Sequence, residues 1–229
     1  MITNTIEKIL TYDNHWKPEN STFSASQLAG SSDYQLWLAY QKTPKTYVQP
    51  LENKVNSALG TGFHLLAEQA LQDEPDTLLE AQFARIVDGE WITGSCDVIR
   101  ENTEYGVIFE DHKTKGVYQA KKALQGDLED VKIQLSIYRY LYWLGNPSAK
   151  FADFGLVNMI VTGDQGYMSK ADGGGKVPKF EQLKVTLWSI EKTEKFIKSK
   201  IKVAKQEEQF CDCDTWRCGY CEFECLHRK

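Results

Sequence analysis

The 229-residue chain predicts an α/β fold, a central mixed sheet flanked by helices, with a small cysteine-rich metal-binding appendage at its C-terminus. Three observations lead there. Three β-rich runs follow one another between residues 80 and 113, segments of helical period stand before and after them, and five of the six cysteines fall between 211 and 225.

Residues 24–42, SASQLAGSSDYQLWLAYQK, read as a helix with Ser24 as its N-cap and apolar positions at helical spacing. A connection marked by Pro44 and Pro50 follows. A second helix then begins after the glycine pair Gly60 and Gly62, and carries His64 one turn before Glu68. The runs EAQFARIV (80–87), EWITGSCDVIR (90–100) and YGVIFEDHK (105–113) are strands, and Asp88-Gly89 between the first two reads as a tight hairpin turn. A helix over 127–145 stops at Gly145-Asn146-Pro147, and the apolar stretch 151–163 is a buried strand. Residues 163–179 form a loop whose GGGK lacks the glycine spacing and following Ser or Thr of a phosphate-binding loop. A long helix, about 184–209, delivers the chain to the cysteines, and no internal repeat is present.

Strand alternation places Asp111 and Lys113 on one face of the third strand, with Glu110 and His112 on the other. Asp97 on the preceding strand can meet Asp111 across the pair. Two carboxylates can hold a hard divalent cation that retains several waters, and a lysine beside them can act on the charge that builds at an attacked phosphate. An acidic-x-Lys tripeptide alone is a short pattern that solvated strand ends also produce. Here it is one of four signals in order. His64 lies upstream, and Gln134 and Tyr138, four apart on one helix face, lie downstream.

Gly60 to His64, Gly94 to Asp97, Asp111 to Lys113 and Gln134 to Tyr138 match G-x-x-x-H, G-x-x-D, acidic-x-Lys and Q-x-x-x-Y. In this the chain resembles the RecB-type branch of the PD-(D/E)XK nuclease superfamily, which includes RecB nuclease domains and CRISPR-associated iron–sulfur exonucleases. The resemblance covers roughly residues 20–145. It implies a restriction-endonuclease-like core, with His64, Asp97 and Asp111 as ligands of Mg2+ or Mn2+, Lys113 as the stabiliser of charge or positioner of water, and Gln134 and Tyr138 as substrate-positioning residues. The motif histidine further implies processing from DNA ends, and the expected activity is that of an exonuclease on single-stranded DNA ends.

The tail FCDCDTWRCGYCEFECLHRK carries close C-x-C and C-x-x-C spacings in a chain that shows no secretory signal, so a metal site is expected rather than disulfides. Cys218, Cys221 and Cys225 resemble the three-cysteine tail of the iron–sulfur members of the family, whose fourth ligand comes from an N-terminal helix. Ser32 stands where that cysteine is expected. A local closure by Cys213, with Cys211 as substitute, completes four thiolates for a 4Fe-4S cluster or, alternatively, Zn2+, since sulfur sites of this kind suit both. The chain then divides into a nuclease domain over 1–209 and a metal-binding tail over 210–229.

A formal charge of -5 excludes a generic nucleic-acid coating protein, yet basic residues cluster at Lys113, Lys115, Lys121 and Lys122 and from Lys192 to Lys205, where they can hold phosphates locally. Tyr118, Tyr138 and Tyr140 are candidates for stacking on unpaired bases. No apolar run is long enough to span a membrane and the N-terminus lacks a basic segment and apolar core, so the expected location is cytoplasmic. The expected partner is DNA, single-stranded or with free ends, with a helicase, a recombinase or CRISPR adaptation proteins as further partners. Two other readings stand beside this one: a nuclease subunit that works only within a CRISPR adaptation or recombination assembly, and a non-catalytic DNA-end-binding module.

Overall fold

The computed structural model describes residue 16 and residues 18–45, 51–163, 166–172, 174–211 and 223. Six strands form one mixed sheet: β1 (Phe23–Ser24), β2 (Thr77–Val87), β3 (Glu90–Thr103), β4 (Gly106–Gly116), β5 (Phe154–Thr162) and β6 (Phe180–Thr186). β3 is the hub. One of its edges pairs antiparallel with β2 from end to end, while the other is shared by β1, parallel at Ile92 and Thr93, and β4, antiparallel from Val98 onward. β4 continues into a parallel pairing with β5, and β5 into an antiparallel pairing with β6.

The predicted hairpin forms at Asp88-Gly89, with both residues at positive φ (51° and 82°), the geometry a two-residue turn needs to match strand twist. Helix α5 (Glu129–Gly145) packs on one face of the sheet and is buried almost all round in its second half, which is why Leu135, Ile137, Tyr138, Tyr140, Leu141 and Tyr142 are all apolar or aromatic. It meets Phe109 through Tyr142 and Lys113 through Gln134. Helix α3 (Leu51–Leu71) lies on the opposite face, where Gly60 approaches Thr114 and Phe63 meets the His112 ring edge-on. Odd-numbered β4 residues therefore face α5 and even-numbered ones face α3, as alternation requires.

Several elements differ from the sequence expectation. The stretch 24–42 breaks into α1 (Ala25–Gly30) and α2 (Asp33–Tyr40), because Ser32 starts a second capping box with Gln35 just after the first one, Ser24 with Gln27. Ser32 thus has a structural task at the place where the resemblance expects a cysteine. Helix α3 begins at Leu51, nine positions before Gly60, and absorbs both glycines. A short helix α4 (Val117–Leu124) follows β4 at once, and residues 180–186 are the edge strand β6, so the last helix, α6, spans only Ile190–Ala204. Its true start is marked by Ser189, whose hydroxyl accepts the Lys192 N–H.

Tail residues Cys213, Cys218, Cys221 and Cys225 lie outside the described residues, while Cys211 is half-buried at the end of the described chain. Phe223, in the midst of these cysteines, is buried against Leu38 with Tyr34, Trp37 and Ala39 of α2, and pairs with Lys45 through one antiparallel bridge. Among the described residues no helix is long and apolar enough to cross a membrane.

Candidate metal centre

The β3–β4 ladder ends at Val98↔Glu110. One step further the strands part, and the carboxylate of Asp97 takes the place a ladder carbonyl would hold: His112 donates its backbone N–H to Asp97 Oδ2 at 2.5 Å. Across β3 the pairs Leu79↔Val98 and Ala81↔Cys96 put Glu80 opposite Asp97. Glu80 holds φ at 46°, the left-handed region, in mid-strand. Strict alternation breaks at the same step, since Cys96 and Ile99, three apart, both enter the main core.

His64 leans over this break from α3. Its Nδ1 stands 3.5 Å from Asp97 Oδ1 and 3.7 Å from Glu80 Oε1, ion-pair separations looser than a normal hydrogen bond. The Asp97 carboxylate, followed by that of Glu80, pushes the His64 pKa up to about 10 against the opposing effect of burial. For Asp97 the cost of burial is outweighed by His64 and the His112 N–H, so its carboxyl is held below the usual range. The His112 ring, edge-on to His64 with centroids 5.6 Å apart, is kept neutral by burial and receives Asn158 Nδ2 at its Nδ1, 3.2 Å. Asn158 also donates to the buried Glu110, which pairs with Arg100, so the even-numbered face of β4 carries its own closed polar network.

Asp111 and Lys113 lie on the other face. The Lys113 ammonium is 3.0 Å from Asp111 Oδ1 and 2.7 Å from Oδ2, the latter an ion contact rather than an aligned hydrogen bond, because Oδ2 is sealed from solvent without a hydrogen-bond partner. Burial pushes the Asp111 pKa up to about 6, with Lys113 opposing and Asp97 adding to the rise. Lys113 also donates to Gln134 Oε1 at 3.5 Å, and Gln134 Nε2 donates to the Tyr138 hydroxyl at 2.6 Å. The Q-x-x-x-Y pair is therefore a brace behind the lysine. Gly94 completes it: a Cβ there would lie 2.7 Å from Tyr138 Cε1, so only glycine lets the tyrosine ring reach its place.

The sequence-marked residues thus gather in one neighbourhood, with one addition. His64, Glu80 and Asp97 each offer a ligand atom, all within 4.8 Å of one another, a mixed imidazole and carboxylate set that suits Mn2+ or Mg2+. Asp111 is not one of those three, since its carboxylate is turned to Lys113. Glu80 carries no motif; its only trace in the sequence is an acid at a strand position that the flanking Leu-Leu and Ala-Gln-Phe would lead one to fill otherwise. A cleft between α3 and β2, lined by Leu65, Glu68, Leu78 and Leu79 among others, runs alongside.

Tyr138 and Tyr140 are buried at 4% and 3% exposure and cannot stack on bases, whereas Tyr118 on α4 is 68% exposed with Lys122 over its ring. Lys198 and Lys200 on α6 and Lys205 at its C-cap pair with Glu194, Asp33 and Glu90.

No family model matches the chain, and no curated protein matches it. Among solved structures it is similar to SSO0001, at 19% identity and TM-score 0.58 over 97% of this chain and 94% of that one, a likeness of fold. Weaker likenesses are to an alkaline exonuclease (LHK-Exo) from Laribacter hongkongensis, 8% identical with TM-score 0.46 over 80% of this chain and 87% of that one, and to a phage-related exonuclease from Haemophilus somnus 129PT, 12% identical with TM-score 0.47 over 88% and 89%.

Proposed function

We propose that the chain is a metal-dependent deoxyribonuclease that hydrolyses phosphodiester bonds, working from the ends of single-stranded DNA. The observation that carries this reading is the half-buried Lys113 ammonium, held by Asp111 at 2.7 Å and braced by Gln134, beside the His64, Glu80 and Asp97 donor set. A lysine in a purely structural ion pair needs no such brace and no neighbouring trio of ligands.

His64, Asp97 and Asp111 would hold a divalent cation, which would supply Lewis-acid stabilisation of the charge that builds on the attacked phosphate. The chain's own residues do the rest. Lys113 presents a fixed positive charge to the phosphate oxygens, and its pKa is raised because Asp111 outweighs the effect of burial, so it stays protonated. Gln134 and Tyr138 keep the ammonium from swinging away. Asp97 fixes the local backbone by taking the His112 N–H. The exposed Tyr118 beside Lys122 is suited to stacking on unpaired bases, a contact that tolerates any sequence.

For the tail we propose a thiolate metal site, an iron–sulfur cluster or zinc, formed by Cys218, Cys221 and Cys225 with Cys213 or Cys211, as a unit separate from the nuclease domain over 1–209. The docking of Phe223 on α2 supports a tail fixed to the N-terminal helices. Two assays test the proposal. Purified chain with Mn2+ or Mg2+ should degrade linear single-stranded DNA while its circular form resists; comparable cutting of the circle contradicts the end-processing part. Elemental analysis of anaerobically purified protein should find stoichiometric iron or zinc, and the absence of both contradicts the tail site.

A further inference from the structure

We infer that Glu80 is a direct ligand of the catalytic cation, on the same footing as His64 and Asp97. The inference rests on the nuclease-site reading above and adds a residue that none of the sequence motifs contains. Three observations support it. The first is orientation. Ser95 donates its hydroxyl to Glu80 Oε2 at 3.1 Å, which fixes the carboxylate and leaves Oε1 toward His64.

The second is spacing. His64 stands 3.5 Å from Asp97 and 3.7 Å from Glu80, and the three ligand atoms lie within 4.8 Å of one another, too wide for mutual hydrogen bonds. Ligands bonded at about 2.1 Å around an octahedral Mg2+ sit about 3 Å from their neighbours, so small side-chain rotations close this trio on a cation.

The third is charge. Asp111 is already neutralised by Lys113, whose ammonium contacts both of its oxygens. Asp97 would bring only one negative charge to a divalent ion, and Glu80 supplies the second. The left-handed φ of 46° at Glu80, which turns its side chain to the same place as that of Asp97 opposite, is a conformation glycine or asparagine would adopt more readily.

The test is Mn2+ binding to the full chain without DNA, read by calorimetry and by the electron paramagnetic resonance signal of free Mn2+, with circular dichroism to verify folding. Glu80→Gln should weaken Mn2+ binding at least tenfold. Glu68→Gln, an exposed acid one turn along α3 from His64, should leave affinity within twofold of the parent. Equal affinity of Glu80→Gln and parent overturns the assignment, as does an equal loss in Glu68→Gln, which would signify only a diffuse acidic field. Should Glu80→Gln not fold, Glu80→Asp, one methylene short, serves in its place: weaker binding than the parent supports the assignment and equal binding overturns it. A parent that binds Mn2+ through Glu80 yet cuts no DNA overturns the nuclease reading and leaves the ligand standing.

Discussion

Replacing Gly94 by alanine perturbs the site without touching any charged group, and its effect can be worked from distances. The new Cβ would lie 2.7 Å from Tyr138 Cε1, 3.1 Å from Cδ1 and 3.4 Å from Ala25 Cβ. Ordinary carbon contacts are about 3.5–4.0 Å, so the ring must retreat by roughly 1 Å. It is 4% exposed and packed beside Phe83, so the retreat is overpacking, which costs about 1–3 kcal/mol. The hydroxyl moves with the ring, and the bond from Gln134 is lost or stretched, a further loss of about 1 kcal/mol. Gln134 is the brace of Lys113, so the ammonium is displaced too, and a misplacement of this size lowers turnover by about 10²-fold. Gly60→Ala is the matched control. Its Cβ would stand 3.6 Å from Thr114 Oγ1, an ordinary contact, and alanine in a helix interior is favoured by about 1 kcal/mol, so stability should hold or rise. Urea unfolding and turnover on a linear single-stranded oligonucleotide, measured for both variants, decide the matter. A Gly94→Ala protein equal to the parent in stability and turnover refutes the brace from Gly94 through Tyr138 to Lys113.

Two further outcomes follow from the same geometry. Because the folded pKa of His64 is raised to about 10 from an ordinary value of 6.5, the stabilisation it draws from Asp97 and Glu80 is fully present below pH 6.5 and is lost as pH rises through 10. With a third of the side chain exposed, at 32%, screening limits this to about 2 kcal/mol. Metal-free unfolding measured at pH 6.5 and pH 10 should show a larger drop for the parent than for His64→Gln, and equal drops contradict the assignment. Phe223→Asp, which places a charge in the cluster of Leu38, Tyr34 and Trp37, should destabilise the docking on α2 by about 3 kcal/mol or more, seen as faster amide exchange over Leu36–Tyr40; unchanged exchange there would mean the contact holds nothing in place.

What the sequence made legible was set by local chemistry. The hairpin at Asp88-Gly89 needed only its two turn residues, and the facing of Asp111 and Lys113 needed only alternation. What stayed hidden depends on tertiary contacts. The start of α3 was obscured because Gly60 and Gly62, breakers by propensity, sit inside a helix that lies on β4 beside Thr114. β6 is an edge strand with most of its side chains exposed, so no apolar alternation separated it from the helix that follows. Among the candidate site residues, His64, Asp97, Asp111, Lys113, Gln134 and Tyr138 could be marked by order and spacing. Glu80 could not, because its place opposite Asp97 follows from the register of β2 on β3 and from a left-handed backbone that no short pattern encodes.

The most direct test of the account is cleavage of a labelled linear single-stranded oligonucleotide in Mn2+ by the parent, Asp111→Asn and Lys113→Ala, each shown to be folded. The parent should show metal-dependent cleavage that a chelator abolishes, Asp111→Asn should show none, and Lys113→Ala should lose about 10²-fold or more, because it removes a preorganised charge from the phosphate. Turnover by either variant close to that of the parent contradicts the nuclease reading.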